Sequence, residues 1–234
     1  MTDATSRCYA LVPCAGVGVR AGAGGPKQYA PLAGRAVVAH TLAALDEVAR
    51  LTATLVVLAP HDAAFEAAVP GWQGERRWLA RCGGATRTAS VTAGLAELRR
   101  RGVRDTDWVL VHDAARCLLR PVWVERLIDA CLCDEVGGLL ALPLADTLKQ
   151  AEAGRAWRTL ERGGKWLAQT PQMFRLGPLQ AALAAADCAG GITDEASAIE
   201  AMGRAPLLVA GEPENLKLTW PADFALAERL LRTR

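Results

Sequence analysis

Apolar residues along this chain fall into short unbroken runs separated by stretches of helical spacing. "CYALVPC", "ATLVVLAP", "RWLARC", "DWVLVHDAAR" and "GGLLALPL" read as five strands in that order. Between them, "AVVAHTLAALDEVAR", "HDAAFEAAV", "TASVTAGLAELRRR" and "PVWVERLIDACLCD" carry apolar residues at helical spacing, the last with Pro121 at the helix start. Continuous apolar strands alternating with helices predict a parallel sheet covered on both faces. The rhythm breaks from Asp146 to Met173, where short strand-like pieces around Gly154 and Gly163-Gly164 read as a hairpin arm projecting from the sheet. A helix "TDEASAIEAM" with Thr193 as N-cap, two short strands "APLLVAG" and "NLKLTW", and a helix "PADFALAERLLR" opening with proline follow. No internal repeat or low-complexity segment interrupts this plan.

Composition narrows the picture. The chain has 234 residues, of which 51% are hydrophobic, enough for one large core or two small ones. The formal net charge of +2 gives no reason to expect nucleic acid or a membrane surface as partner. No window approaches the roughly 18 unbroken apolar residues of a membrane span. The first apolar run leads into a glycine loop and reads as a strand, not a signal peptide. Seven cysteines without C-x-x-C spacing and three scattered histidines, His40, His61 and His112, give no zinc pattern. A reduced, cytoplasmic protein with buried thiols is expected.

The chemistry concentrates in four places. After the first strand, "PCAGVGVRAGAGGPKQY" spends five glycines and two isolated cations, Arg20 and Lys27, before a large side chain returns. Gly16 and Gly18 would let backbone N–H groups approach phosphate oxygens, although a flexible turn with two solvated cations fits nearly as well. The loop lacks the third glycine of the dinucleotide fingerprint, and Lys27, between Pro26 and Gln28, fails the P-loop pattern. In "VHDAAR", Asp113 stands at a strand end, either as ligand to a nucleotide-bound magnesium or as a loop cap paired with Arg116. "GGATRTASVTAGL" places Gly83 and Gly84 before a helix carrying Ser90. In "ENLKLTWPADF", Lys217 sits in a predicted strand, reaching an anion or lying along an edge.

Together, "PCAGVGVR…GPKQY", "GGATRTASVTAGL", "VHDAAR", "TPQMF", "TDEAS" and "NLKLTWPAD" resemble, in order and spacing, the 2-C-methyl-D-erythritol 4-phosphate cytidylyltransferases over nearly the whole chain. Cys14, Val19, Ala85 and Cys117 depart from residues common in that family. The resemblance implies a Rossmann-like, mostly parallel twisted sheet in a single domain over 1–234, with a dimerisation arm at about 146–173. The chain ends after one domain, so the fused form that carries a second pathway enzyme in some relatives is not expected. The implied reaction passes a cytidylyl group from CTP to methylerythritol phosphate and releases pyrophosphate, with Mg²⁺ or another divalent cation on the triphosphate and Asp113 as its candidate ligand. The implied catalytic residues are Arg20, Lys27, Arg162 and Lys217. Nucleotide contacts are implied at Pro13, Ala15, Gly16, Gly18, Gly83, Arg87, Ser90, Asp113 and Ala114. Acceptor contacts are implied at Asp113, Arg116, Thr147, Arg162, Thr170 and Lys217, with Thr147 and Arg162 entering the partner's site in a homodimer. A cytidylyltransferase for another polyol phosphate, such as ribitol 5-phosphate, would share the loop motifs. A non-catalytic nucleotide-binding regulator on the same fold would not need all four cations.

Overall fold

The structure, a computed structural model, describes residues 6–16, 25–187 and 192–234. In chain order the elements are β1 (Cys8–Pro13), β2 (Pro31–Leu32), β3 (Arg35–Ala36), α1 (Val37–Asp46), β4 (Leu51–Val57), α2 (Phe65–Ala68), β5 (Arg77–Ala80), α3 (Arg87–Arg100), β6 (Trp108–Val111) and α4 (Pro121–Leu132). They continue with β7 (Gly137–Pro143), β8 (Leu148–Glu152), β9 (Arg155–Leu160), β10 (Trp166–Arg175), α5 (Leu176–Asp187), α6 (Glu195–Ala201), β11 (Leu207–Ala210) and α7 (Pro221–Arg232).

Seven strands form one sheet in the order β11-β7-β10-β6-β1-β4-β5. Neighbouring strands run parallel except at β10, which pairs antiparallel with both β6 and β7. Successive residues of a strand face opposite sides, so an unbroken apolar strand feeds two cores. Ala10, Val12, Val56 and Leu110 pack with Val38, Leu42 and Leu45 of α1 and with Val124, Leu127 and Ile128 of α4. Tyr9, Leu11, Leu55, Val109 and Val111 pack with Val91, Leu95 and Leu98 of α3, Leu179 of α5 and Ile199 of α6. The α/β architecture read from the hydrophobic pattern is therefore present, with helices on both faces.

Three differences from the sequence expectation bear on the site. β10 runs through the sheet, so the irregular segment is an arm only as far as the β8–β9 hairpin, and its later part is a core strand. Pro171 argues against a central strand because it has no N–H to donate. It is accommodated because the β10–β7 register shifts between Ala168 and Gln172, leaving the proline off the regular ladder. Second, α5 was not read from the sequence. Its Gly177-Pro178 pair looks like a turn, yet proline is tolerated in a helix's first turn. Third, "NLKLTW" is not a strand, so Lys217 lies in irregular chain. The alternation there arises because Leu218 buries into a small core with Leu32, Leu118 and Ala227 of α7, its N–H bonded to the Ala115 carbonyl at 2.9 Å. The α6 N-cap is Asp194, one residue beyond Thr193, with Ser197 completing a capping box.

The arm hairpin turns through Ala153 and Gly154, both at positive φ, as a two-residue reversal requires. Its strands are largely exposed.

Helix α3 approaches the sheet closely because Gly94 has no side chain. A Cβ there would stand 2.6 Å from Leu11 Cδ1 and 2.8 Å from Val57 Cγ2, both fully buried. Gly94→Val should lower stability by roughly 1–3 kcal/mol through overpacking. Denaturant titration measures this, and an unchanged midpoint would contradict the packing described.

Candidate active site

The parallel strands deliver their carboxyl ends to one side of the sheet, where ligands of such folds collect. A cleft there is lined by Pro13, Cys14, Ala15 and Gly16 after β1, by Lys27 and Gln28, and by residues 84–87 and Ser90 around the α3 N-terminus. Asp113, Ala114 and Ala115 after β6, and Lys217 from the segment before α7, complete it. Gln28, which the sequence reading passed over, folds the first loop: its Nε2 donates to the carbonyls of Cys14 at 3.0 Å and Gly16 at 2.8 Å. The glutamine in "PKQY" was its only sequence signal.

Asp113 organises the floor of the cleft. Its Oδ1 accepts from Arg87 Nε at 2.8 Å, while its Oδ2 meets Lys217 Nζ at 2.9 Å and Arg116 Nε at 3.7 Å. Burial alone would raise this carboxyl's pKa, but Arg87, Lys217 and Arg116 together hold it far below the usual carboxylate range. Arg87 in turn forks both Nη groups onto Glu195, at 2.6 and 3.0 Å. Burial would lower the guanidinium's pKa, and the charges of Glu195 and Asp113 overcome it. Arg116 also donates to the Asn215 carbonyl at 2.6 Å, tying the "HDAAR" loop to the segment that bears Lys217. Lys27 reaches the same segment, its Nζ donating to the Leu218 carbonyl at 2.7 Å.

Behind this floor, a chain of hydrogen bonds holds the loop's backbone. His112 Nε2 faces the Arg116 carbonyl at 3.2 Å, which can only accept, so the ring proton sits there and Nδ1 accepts from Thr170 Oγ1 at 3.0 Å. Thr170 Oγ1 accepts the Asp113 N–H at 3.1 Å. Burial lowers the imidazole pKa to about 4, so this histidine is a neutral strut rather than a proton shuttle. The lining cysteine, Cys14, is no thiolate either, since burial pushes its thiol up to about 12.

The residues singled out from sequence thus fall into groups. Pro13, Ala15, Gly16, Lys27, Arg87, Ser90, Asp113, Ala114 and Lys217 converge on the cleft. Gly83 lies beneath it: its N–H donates to Leu58 O at 2.8 Å, and a Cβ would stand 2.4 Å from Ala15 Cβ. It spaces the two loops, and Gly84 lines the cleft in its place. The Ser90 hydroxyl accepts the Gly84 N–H at 3.1 Å and lies 3.0 Å from the Thr86 carbonyl, so it folds the turn before α3. Thr170 is buried behind Asp113, and Arg116 braces it from the side. Thr147 and Arg162 do not line the cleft of their own chain. Both are exposed at the arm, where Arg162 donates to the Ala145 carbonyl. Gly18 and Arg20 lie outside the described residues. Glu195 was missed as a site residue because an acid in a helix's first turn reads as a dipole partner. Its depth, at 1% exposure, comes from tertiary packing.

Known proteins resemble this chain in sequence and fold. The sequence profile of the family described as IspD, 2-C-methyl-D-erythritol 4-phosphate cytidylyltransferase, matches residues 8–233. A protein of Paraburkholderia xenovorans named 2-C-methyl-D-erythritol 4-phosphate cytidylyltransferase is 52% identical over 232 residues, covering 97% of each chain. A bifunctional enzyme IspD/IspF of Albidiferax ferrireducens is 58% identical over 233 residues, and the match spans 55% of that longer protein. A crystal structure of a 4-diphosphocytidyl-2C-methyl-D-erythritol synthase superposes with a TM-score of 0.86 at 39% identity, covering 97% of this chain and 99% of that one. The 2-C-methyl-D-erythritol 4-phosphate cytidylyltransferase of Thermus thermophilus superposes at 0.78 with 32% identity, over 97% and 99% of the two chains. With a family profile spanning nearly all its length, the chain belongs to the 2-C-methyl-D-erythritol 4-phosphate cytidylyltransferase family.

Proposed function

We propose that the cleft catalyses the reaction of that family on this chain: transfer of the cytidylyl group of CTP to 2-C-methyl-D-erythritol 4-phosphate, for isoprenoid precursor synthesis by the non-mevalonate route. The observation that carries this reading is the meeting of Lys27 and Lys217 in one cleft beside Asp113, at the carboxyl ends of the strands. A phosphomonoester is largely dianionic at neutral pH, its second pKa being about 6, so it attacks without a general base. Its oxygen bonds to the α-phosphorus as the bond to the β-phosphate oxygen breaks, and pyrophosphate leaves with that electron pair. The protein's work is alignment and charge neutralisation. Lys27, with Arg20 on the same loop, offsets charge at the reacting phosphorus. Lys217, seated on Asp113 by one N–H, turns its ammonium to the acceptor phosphate.

We assign CTP-bound Mg²⁺ to the same cleft. Among the described lining residues there is one carboxylate, Asp113, and magnesium is commonly held by one or two carboxylates plus substrate phosphates, so the residues fit that donor set. Bound there, the ion would neutralise the triphosphate. We place the enzyme in the cytoplasm, in keeping with the free thiols of its described cysteines. No helix among the described residues is long and apolar enough to cross a membrane.

We further propose a homodimer through the arm. A two-stranded hairpin is marginal alone in water, and this one presents Trp157 at 59% exposure, with Trp166 at 39% where β10 enters the sheet. A two-fold partner would cover them and receive Arg162 and Thr147 into its cleft.

Two experiments follow. Purified protein with CTP and methylerythritol phosphate should release pyrophosphate, and Lys27→Ala should cut kcat by roughly 10²–10³ with little change in KM. A raised KM for CTP at native kcat would refute the transition-state role. For the arm, Arg162→Ala and Lys27→Ala chains, each strongly impaired alone, should regain activity well above either when mixed under subunit exchange. One site of each heterodimer then holds both cations. Proven heterodimers without that gain would disprove the shared site.

A further inference from the structure

The buried carboxylate of Glu195 has no part in the reaction described, yet it stands one residue away from it. The first turn of α6 is clamped to the centre of the sheet by Gln172 of β10. Its Nε2 donates to Asp194 Oδ2 at 2.8 Å and its Oε1 accepts the Ala196 N–H at 2.8 Å. Glu195, held between those two contacts, presents both oxygens to the Nη groups of Arg87. The remaining edge of that guanidinium, Nε, goes to Asp113 Oδ1, and the other oxygen of Asp113 to Lys217. The charges therefore alternate along a single line from Glu195 to Arg87, Asp113 and Lys217. An arginine fork is planar and rigid, so fixing its two Nη groups also fixes the direction of Nε.

A stability role alone does not account for this line, because apolar residues of similar volume usually serve as well as a buried ion pair. Without Glu195, Arg87 would have its two-pronged edge free for Asp113 or for an incoming phosphate. Either choice would move the carboxylate that seats Lys217.

We propose that Glu195 is a positioning residue for the reaction: by engaging both Nη groups of Arg87 it fixes the Asp113 carboxylate and, through it, the Lys217 ammonium that receives the acceptor phosphate. The inference rests on the cytidylyltransferase reading. It gives the "TPQ" and "TDEAS" segments one joint task, which is to carry the orientation of the sheet centre into the cleft.

The test is a kinetic cycle on the full-length protein. Glu195→Gln should lower kcat by about 10- to 100-fold, the scale of a misplaced catalytic group, and raise KM for methylerythritol phosphate more than KM for CTP. In a Lys217→Ala background the same change should lower kcat by less than about three-fold, because the group it positions is already gone. A merely structural Glu195 would give equal penalties in both backgrounds and would shift both KM values alike. Thermal unfolding shows whether Glu195→Gln is folded. If it is not, Glu195→Asp, which keeps the buried charge but shortens its reach to Arg87, replaces it in the cycle with the same expectations. Native kcat in the folded variant, or multiplicative penalties, would overturn the inference while leaving the reaction standing. A wild-type protein that releases no pyrophosphate from CTP and methylerythritol phosphate would overturn both.

Discussion

Everything at the carboxyl end of the sheet is arranged around one buried carboxylate that has been given three cations. Asp113 is 7% exposed, and an isolated charge at that depth would protonate rather than persist. It persists because Arg87, Arg116 and Lys217 surround it, each from a different part of the chain. Arg87 comes from the start of α3, Arg116 from the loop after β6, and Lys217 from the segment before α7. Satisfying the one carboxylate therefore draws three segments together, and the cleft is the space their meeting leaves.

The fold supplies what this convergence needs. Parallel strands put the ends of β1, β5 and β6 on the same side, and Gly94 lets α3 lie close enough for Arg87 to reach across. The small core around Leu218 fixes the chain on one side of Lys217, while Arg116 holds the Asn215 carbonyl on the other. A segment without strand pairing thus presents its lysine as firmly as a strand would. The antiparallel β10 has a separate task. Inserted between β6 and β7, it carries Thr170 to the back of Asp113 and Gln172 to the start of α6.

How much of this the sequence disclosed follows from which interactions are local. Unbroken apolar runs mark strands buried on both faces, so the α/β class, the main strands and α1, α3, α4 and α7 were legible. The loops at the strand ends were legible too, because glycines and lone cations are costly without purpose. What escaped depends on partners far along the chain. β10 looked like part of an arm because its first three residues are exposed and its centre is polar, and its buried part is defined by neighbours at residues 108–111 and 137–143. Lys217 looked like a strand residue because Leu216 and Leu218 alternate around it, whereas the burial of Leu218 depends on α7. Glu195 gave the signal of an ordinary helix start, and its bond to a residue 108 positions earlier has no local trace.

The charged groups of the cleft also divide the work between them. Lys217 rests on a carboxylate and Lys27 on a main-chain carbonyl; on the proposed reading Lys27 exchanges its carbonyl for a phosphate oxygen while Lys217 adds one beside its carboxylate. Arg87 differs, because each of the three nitrogens of its guanidinium already donates to a carboxylate. A group so placed does little by reaching outward and much by holding still. The lysines, on flexible stems with single charged tips, suit the exchange, and the arginine, a fixed planar fork, suits the frame. On the proposed reading, that division lets the cleft take highly charged substrates while the carboxylate at its centre keeps both its charge and its orientation.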